Sequence, residues 1–170
     1  MVTDDPIQLT LTANLADLPL AERSTPDDFA LRGTEDRDIQ VLADLYFSAY
    51  PSEIVADEAA ALEEIEVTFK GEYGELDAAA SPLIATGNRV VAAVLTVKQA
   101  PWDNTPPGPF LIEVIVHPDY RRQGLARVAI LEAASTLLSQ GHQTVALRVM
   151  SDNDAAMKLY GSLGFRQWKQ

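Results

Sequence analysis

The stretch FLIEVIVHPDYRRQGLARVAI, residues 110–130, decides the reading of the chain. FLIEVIV (110–116) is a near-continuous apolar run, which predicts a strand buried on both faces near the middle of a sheet. HPDYRRQGLARVAI (117–130) follows as a tight polar turn and the start of an apolar helix. The first backbone N–H groups of a helix lack internal partners, and the helix dipole points its positive end there. Gly124 leaves the backbone bare, Ala126 keeps the next turn accessible, and Arg121, Arg122 and Arg127 add charge. This is the chemistry of a diphosphate seat. A plain helix start with surface arginines has the same local pattern, so the stretch alone leaves both readings open. No Gly-x-Gly-x-x-Gly follows the strand and no Lys-Ser/Thr follows Gly124, so neither a dinucleotide fold nor a P-loop is supported.

Three cations around one glycine stand out because the chain of 170 residues has a net charge of −12. The charge is divided. Residues 1–78 hold 19 Asp/Glu and 4 Lys/Arg, whereas residues 79–170 hold 6 and 9. An acidic half facing a cationic substrate and a basic half holding an anionic one would explain the split. A solvated acidic surface would explain the first half equally well. Nucleic acid is disfavoured, since phosphate binding needs a basic footprint. The apolar fraction of 47% is that of a globular domain, and no run reaches the roughly 18 apolar residues of a membrane span. With no cysteine and only His117 and His142, no metal site is expected. A cytoplasmic, metal-free protein without a membrane partner is the expectation.

Outward from the central stretch, SPLIATGNRVVAAVLTVKQ (81–99) predicts a hairpin around Gly87-Asn88. TEDRDIQVLADLYFSAY (34–50) predicts a helix capped by Thr34 and ended by Pro51. DEAAALEEIEVTFKGEYG (57–74) predicts a second helix, opened by Asp57 and closed by Gly71. The helix from 125 runs to about Gln140. QTVALRV (143–149) alternates as a strand, DNDAAMKLYGSL (152–163) is a last helix closed by Gly164, and FRQWKQ (165–170) is a final short strand. PIQLTLTANL (6–15) also alternates as a strand, followed by a linker. Residues 1–28 are therefore set apart as an extension, and 29–170 as the domain.

The block HPDYRRQGLA resembles the coenzyme-binding motif of the GCN5-related N-acetyltransferases, with Arg121, Gly124 and Ala126 at its key positions. A second block, LRVMSDNDAAMKLYGSLGF (147–165), is similar to that family's other motif through Asn153, Ala156, Leu159, Tyr160, Gly164 and Phe165. The clear resemblance runs from about Phe110 to Phe165. It implies an α/β/α sandwich: a mixed, mostly antiparallel sheet, splayed at the central strand, with a shortened C-terminal hairpin. It implies an acetyl-coenzyme A-dependent N-acyltransferase that acetylates a primary amine, small or on a protein, by direct attack in a ternary complex. By the same resemblance the diphosphate lies on the N–H groups of about Arg122, Gln123, Gly124, Leu125, Ala126 and Arg127, with Arg121 as a further cofactor-binding residue. The pantetheine arm pairs with Val114, Ile115 and Val116, Asn153 hydrogen-bonds the arm, and Tyr160 is the catalytic acid.

The resemblance weakens at the base. Two positions that carry acids in many family members hold Arg148 and Phe110 here. Glu113 is the only carboxylate in the central strand and so the candidate catalytic base, with Glu72, Tyr73 and Asp103 as weaker candidates. Strand alternation leaves its face open, because a bulge would reverse the parity. Only six residues follow Gly164, enough for one strand rather than a hairpin. The N-terminal strand is therefore expected to cover the open sheet edge, from its own chain or from a partner in a homodimer. Polyamine, aminoglycoside-like amine, lysine and protein N-terminus all remain open as cationic acceptors. A non-catalytic acyl-coenzyme A-binding module of the same fold is the alternative function.

Overall fold

The computed structural model describes residues 5–170; the first four residues of the 1–28 extension lie outside them. The elements in chain order are β1 (Gln8–Asn14), β2 (Ala30–Gly33), α1 (Ile39–Ala49), α2 (Glu58–Phe69), β3 (Pro82–Thr86), β4 (Arg89–Val97), β5 (Phe110–Val116), α3 (Leu125–Ser139), β6 (Thr144–Met150), α4 (Asp154–Leu163) and β7 (Arg166–Gln167). The strands form one sheet in the order β2-β3-β4-β5-β6-β1-β7. Every neighbouring pair is antiparallel except β5 and β6, which are joined through α3 as a parallel crossover. Among the described residues no helix is long and apolar enough to cross a membrane.

The two faces of the sheet carry separate cores. Leu125, Ile130, Leu131 and Leu137 of α3, with Tyr160 and Leu163 of α4, pack on Leu11, Val94, Leu111 and Leu147. Leu42, Leu45, Ala61 and Ile65 of α1 and α2 pack on the opposite face against Leu83, Ala93, Leu95 and Ile115. Long-range burial of this kind, rather than helix propensity, holds such short helices in place.

β1 belongs to the sheet of its own chain. It pairs with β6 along its whole length, from Gln8 opposite Met150 to Asn14 opposite Thr144. Leu11 and Ala13 enter the core on one face, and Thr10 and Thr12 alternate to the other. The final strand is only two residues long, and it reaches the sheet by pairing with β1 rather than β6.

One cap differs from the sequence reading. Thr34 does not open α1. A single 3-10 turn at Asp36–Asp38 comes first, closed by a reciprocal pair in which Glu35 and Asp38 each accept from the other's end of the turn. Asp38 is buried and takes two 2.7 Å bonds from the Arg32 guanidinium, which hold its carboxyl below the usual carboxylate range. That pairing joins β2 to the start of α1. Thr34 instead gives its N–H to Ser81, while its buried hydroxyl has no partner among the described residues.

Candidate active site

β5 and β6 hydrogen-bond as neighbours only at Phe110–Ala146 and Leu111–Leu147. Beyond Leu111 the two strands diverge, and the β6-facing edge of β5 is left unpaired over Val114 to Val116. A cleft of about 230 Å3 occupies the gap. Glu113, Val114, Arg148, Asn153, Tyr160 and Tyr50 all line it.

The face of Glu113 is set by a bulge. Opposite β4, Leu95 pairs with Glu113 while Thr96 pairs with Leu111, so Ile112 is an extra residue on β5. Leu111 packs toward α3, but Ile112 and Ile115 pack toward α1 and α2. In a regular strand Leu111, Glu113 and Ile115 would share one face. The bulge breaks that parity and turns Glu113 to the α1/α2 side. There its Oε2 accepts a 2.7 Å hydrogen bond from the Tyr50 hydroxyl. Tyr50 is placed by its successor: Pro51 disfavours a helical conformation in the residue before it, and Tyr50 is extended at φ −109°, ψ 145°. Burial pushes the Glu113 carboxyl up to about 7, against the opposing effect of the Tyr50 hydrogen bond.

Tyr160 lies across the cleft on α4, 7% exposed, and no protein group among the described residues hydrogen-bonds its hydroxyl. Burial, and then the Glu113 charge, push its phenol up to about 12. Asn153 caps α4 by accepting from the Ala156 N–H at 3.2 Å, which leaves its amide NH2 for the cleft.

At the end of β5 the turn and the start of α3 border an open cradle. A cavity of about 760 Å3 is lined by Val116, Arg121, Arg122, Gly124, Ala126 and Arg127, with Asp154, Lys158 and Leu159 of α4 on the far wall. The first helical bond runs from the Val128 N–H to the Gly124 carbonyl. Among the described residues, no N–H from Arg122 to Arg127 has an acceptor within the protein. Gly124 is left-handed at φ +77°, and a Cβ built there would meet no protein atom. A row of free N–H groups over open space fits a diphosphate.

The arginines do less than their number implies. Arg121 donates to the carbonyls of Ala49 and Val116, tying α1 to β5. Arg127 pairs with Glu22 and reaches Ser162. Only Arg122 has no protein partner among the described residues. Of the positions that hold acids in many relatives, Phe110 is buried with Trp102 against its edge, and Arg148 lays its guanidinium 4.8 Å over the Trp102 ring. Glu72 and Tyr73 line another cavity, Tyr73 also lines a small space that reaches Glu113, and Asp103 is exposed on its loop.

Tyr50, Tyr46, Glu64 and Trp102 were not picked out from the sequence as site residues. For Tyr50 a signal existed, since Pro51 fixes its backbone. The others are brought in by tertiary packing of α1, α2 and the 98–109 loop.

A family model described as the acetyltransferase (GNAT) family matches residues 39–165. The chain belongs to that family. The [ribosomal protein bS18]-alanine N-acetyltransferase of Escherichia coli strain K12 is 42% identical over 57 residues, 34% of this chain. The match spans 38% of that relative's length. Among solved structures, the GCN5-related N-acetyltransferase of Sphaerobacter thermophilus superposes with a TM-score of 0.72 at 15% identity, covering 96% of this chain and 50% of that one. The aminoglycoside N-acetyltransferase AAC(6′)-Iy, solved in complex with CoA, superposes with a TM-score of 0.64 at 16% identity, covering 84% and 90%. At those identities the likeness is one of fold, and it is the GNAT fold with its splayed mixed sheet.

Proposed function

We propose that the chain is an acetyl-coenzyme A-dependent N-acetyltransferase that acetylates a primary amine by direct attack in a ternary complex. The observation that carries this reading is the cleft between β5 and β6. It brings a carboxylate poised near neutrality and an unpartnered phenol into one cavity, beside a cradle of free N–H groups.

The residues from Arg121 to Arg127 would hold the diphosphate, with Arg122 the side chain free to add charge. The unpaired edge of β5 from Val114 to Val116 would take the amide-rich arm as an added strand, and the Asn153 amide would hydrogen-bond it. When bound, acetyl-coenzyme A supplies an acetyl group held as a thioester.

Glu113 would take a proton from the incoming ammonium at a carboxylate oxygen. A carboxyl at about 7 is matched to that task near neutral pH. The Tyr160 hydroxyl would hold the proton destined for the departing sulfur. With the phenol at about 12 and a thiol near ~8.5, that transfer is uphill by about 5 kcal/mol. The Glu113 charge contributes to this gap. Once Glu113 has taken the amine's proton its charge is gone, and the phenol becomes more acidic. The carboxylate thus keeps Tyr160 protonated before attack and eases its release afterwards.

The non-catalytic alternative rested on a missing base and a missing hairpin. Glu113 in the cleft and β1 alongside β6 weaken both grounds. A panel of amines incubated with acetyl-coenzyme A and read by mass spectrometry tests the proposal. Acetylated product that falls about 100-fold in Tyr160→Phe is expected. Coenzyme binding without product on any amine would overturn it.

A further inference from the structure

Two opposite charges line the β5–β6 cleft and do not meet. Among the described residues that line it, Arg148 is the one cation and Glu113 the one carboxylate. Glu63, Glu64 and Glu72 line the neighbouring cavity between α1 and α2 instead. Among the described residues neither Arg148 nor Glu113 makes an ion pair, with the other or with a third group. A guanidinium and a carboxylate free to approach in one cleft would join through paired hydrogen bonds. Here each is held by an aromatic neighbour. The Tyr50 hydroxyl donates to Glu113 at 2.7 Å. The Arg148 guanidinium lies 4.8 Å over the Trp102 ring, and Trp102 is itself set edge-on against buried Phe110.

The sheet puts both charges on one face. Leu147 and Val149, on either side of Arg148, pack toward α3 and α4. Arg148 therefore alternates to the other face with Ala146, which packs on Phe110. The bulge at Ile112 turns Glu113 to that same face. In a regular β5 Glu113 would lie with Leu111, across the sheet from Arg148. Instead the carboxylate and the guanidinium flank the gap where β5 and β6 part. Arg148 is half-buried, and the ring under it offers no acceptor oxygen. None of its N–H donors has a protein acceptor among the described residues.

We infer that the acceptor is an amino acid with a free carboxylate, its amine at Glu113 and its carboxylate bound by the Arg148 guanidinium. This rests on the acetyl-transfer reading for the amine, while the carboxylate subsite stands on Arg148 itself. A cleft with one charge of each sign, held apart, is complementary to a zwitterion. The planar carboxylate matches the paired donors of a guanidinium, which the stack on Trp102 holds in place. A peptide N-terminus fits less well, because it presents a neutral amide where an amino acid presents its carboxylate. A di- or polyamine fits worse still, since its second ammonium would face a cation. Arg148 thus selects the acceptor and takes no part in the proton transfers.

Two measurements separate the inference from the reading beneath it. In the first, each proteinogenic amino acid is compared with its own amide, which keeps the amine and side chain and removes the negative charge. Calorimetry with coenzyme A present reads binding without turnover. At least one amino acid should bind about tenfold or more tighter than its amide. That ratio should fall toward one in Arg148→Gln, and only partway in Arg148→Lys, which keeps the charge but loses the paired donors. In the second, steady-state acetylation by acetyl-coenzyme A, KM for that amino acid should rise about tenfold in Arg148→Gln with much less change in kcat. Amides bound as tightly as their amino acids throughout, a ratio unchanged in Arg148→Gln, or a peptide N-terminus or putrescine preferred to every amino acid would each overturn the inference. Acetylation of amines without preference for a carboxylate would overturn it and leave acetyl transfer standing. A carboxylate preference that depends on Arg148, without product, would uphold the subsite and overturn the acetyl-transfer reading instead.

Discussion

Glu113 illustrates how one side chain is tuned by what surrounds it. Burial holds its carboxyl at about 7, and the Tyr50 hydroxyl restrains it from going higher. If it acts as the base, kcat/KM should rise with pH up to about 7 and then level, apart from the limb that belongs to the acceptor amine. Glu113→Gln should remove the limb at about 7, and Tyr50→Phe should move it upward, because the lost hydrogen bond favoured the charged form. Stability follows the opposite course. A carboxyl raised in the folded state stabilises most below its unfolded value of about 4.3, and that contribution is lost as pH rises through about 7. Glu113→Gln should therefore melt above the wild type at pH 8 and level with it near pH 4, as thermal denaturation would show. Gly124 gives a second test at this scale. At φ +77° an alanine is strained by roughly 1 kcal/mol, and its methyl would enter the open cradle. Gly124→Ala should raise KM for acetyl-coenzyme A far more than it lowers the melting temperature.

At the scale of elements, the helices, the hairpin and the central strand were legible in the sequence because period, caps and turn residues agree there. Residues of the two motif blocks line one cavity, with Gly124 and Arg122 on one wall and Asp154 and Leu159 of α4 on the other. Two features were not legible, for distinct reasons. The face of Glu113 depends on the bulge at Ile112, which arises from pairing with β4 and leaves no mark in the residues of β5 alone. The place of β1 depends on a distant partner, with Asn14 opposite Thr144 and Gln8 opposite Met150. Its alternation announces a strand, but not which edge it seeks. Removing residues 1–14 should leave the whole β6 edge unpaired and uncover the Leu147 and Val149 side of the core. The expected outcome is a large drop in thermal stability with concentration-dependent association by light scattering, since a bare edge recruits other chains. A truncated chain that stays monomeric with an unchanged melting temperature would contradict this role for β1.

At the scale of the whole molecule, the charge division of the sequence becomes a division in space. The acidic residues Glu63, Glu64 and Glu72 surround the cavity on the α1/α2 side, while the cradle's N–H groups and Arg122 lie at the end of β5. Opposite charges would be drawn to opposite approaches. Raising ionic strength from 0.05 M to about 0.5 M should lower kcat/KM for a cationic amine several-fold, with less effect on a neutral-backbone acceptor of equal reactivity. The same arrangement has a consequence for how the chain reaches its native state. β1 is synthesised well before its partners β6 and β7. Until those strands emerge its Leu9, Leu11 and Ala13 side has no sheet to join, and the β6 side of the cleft stays unformed. Closing so distant a pair is slow relative to local hairpin formation. Refolding should therefore be biphasic, with the β2–β5 half protected from hydrogen exchange before β1, and activity returning only with the slower phase.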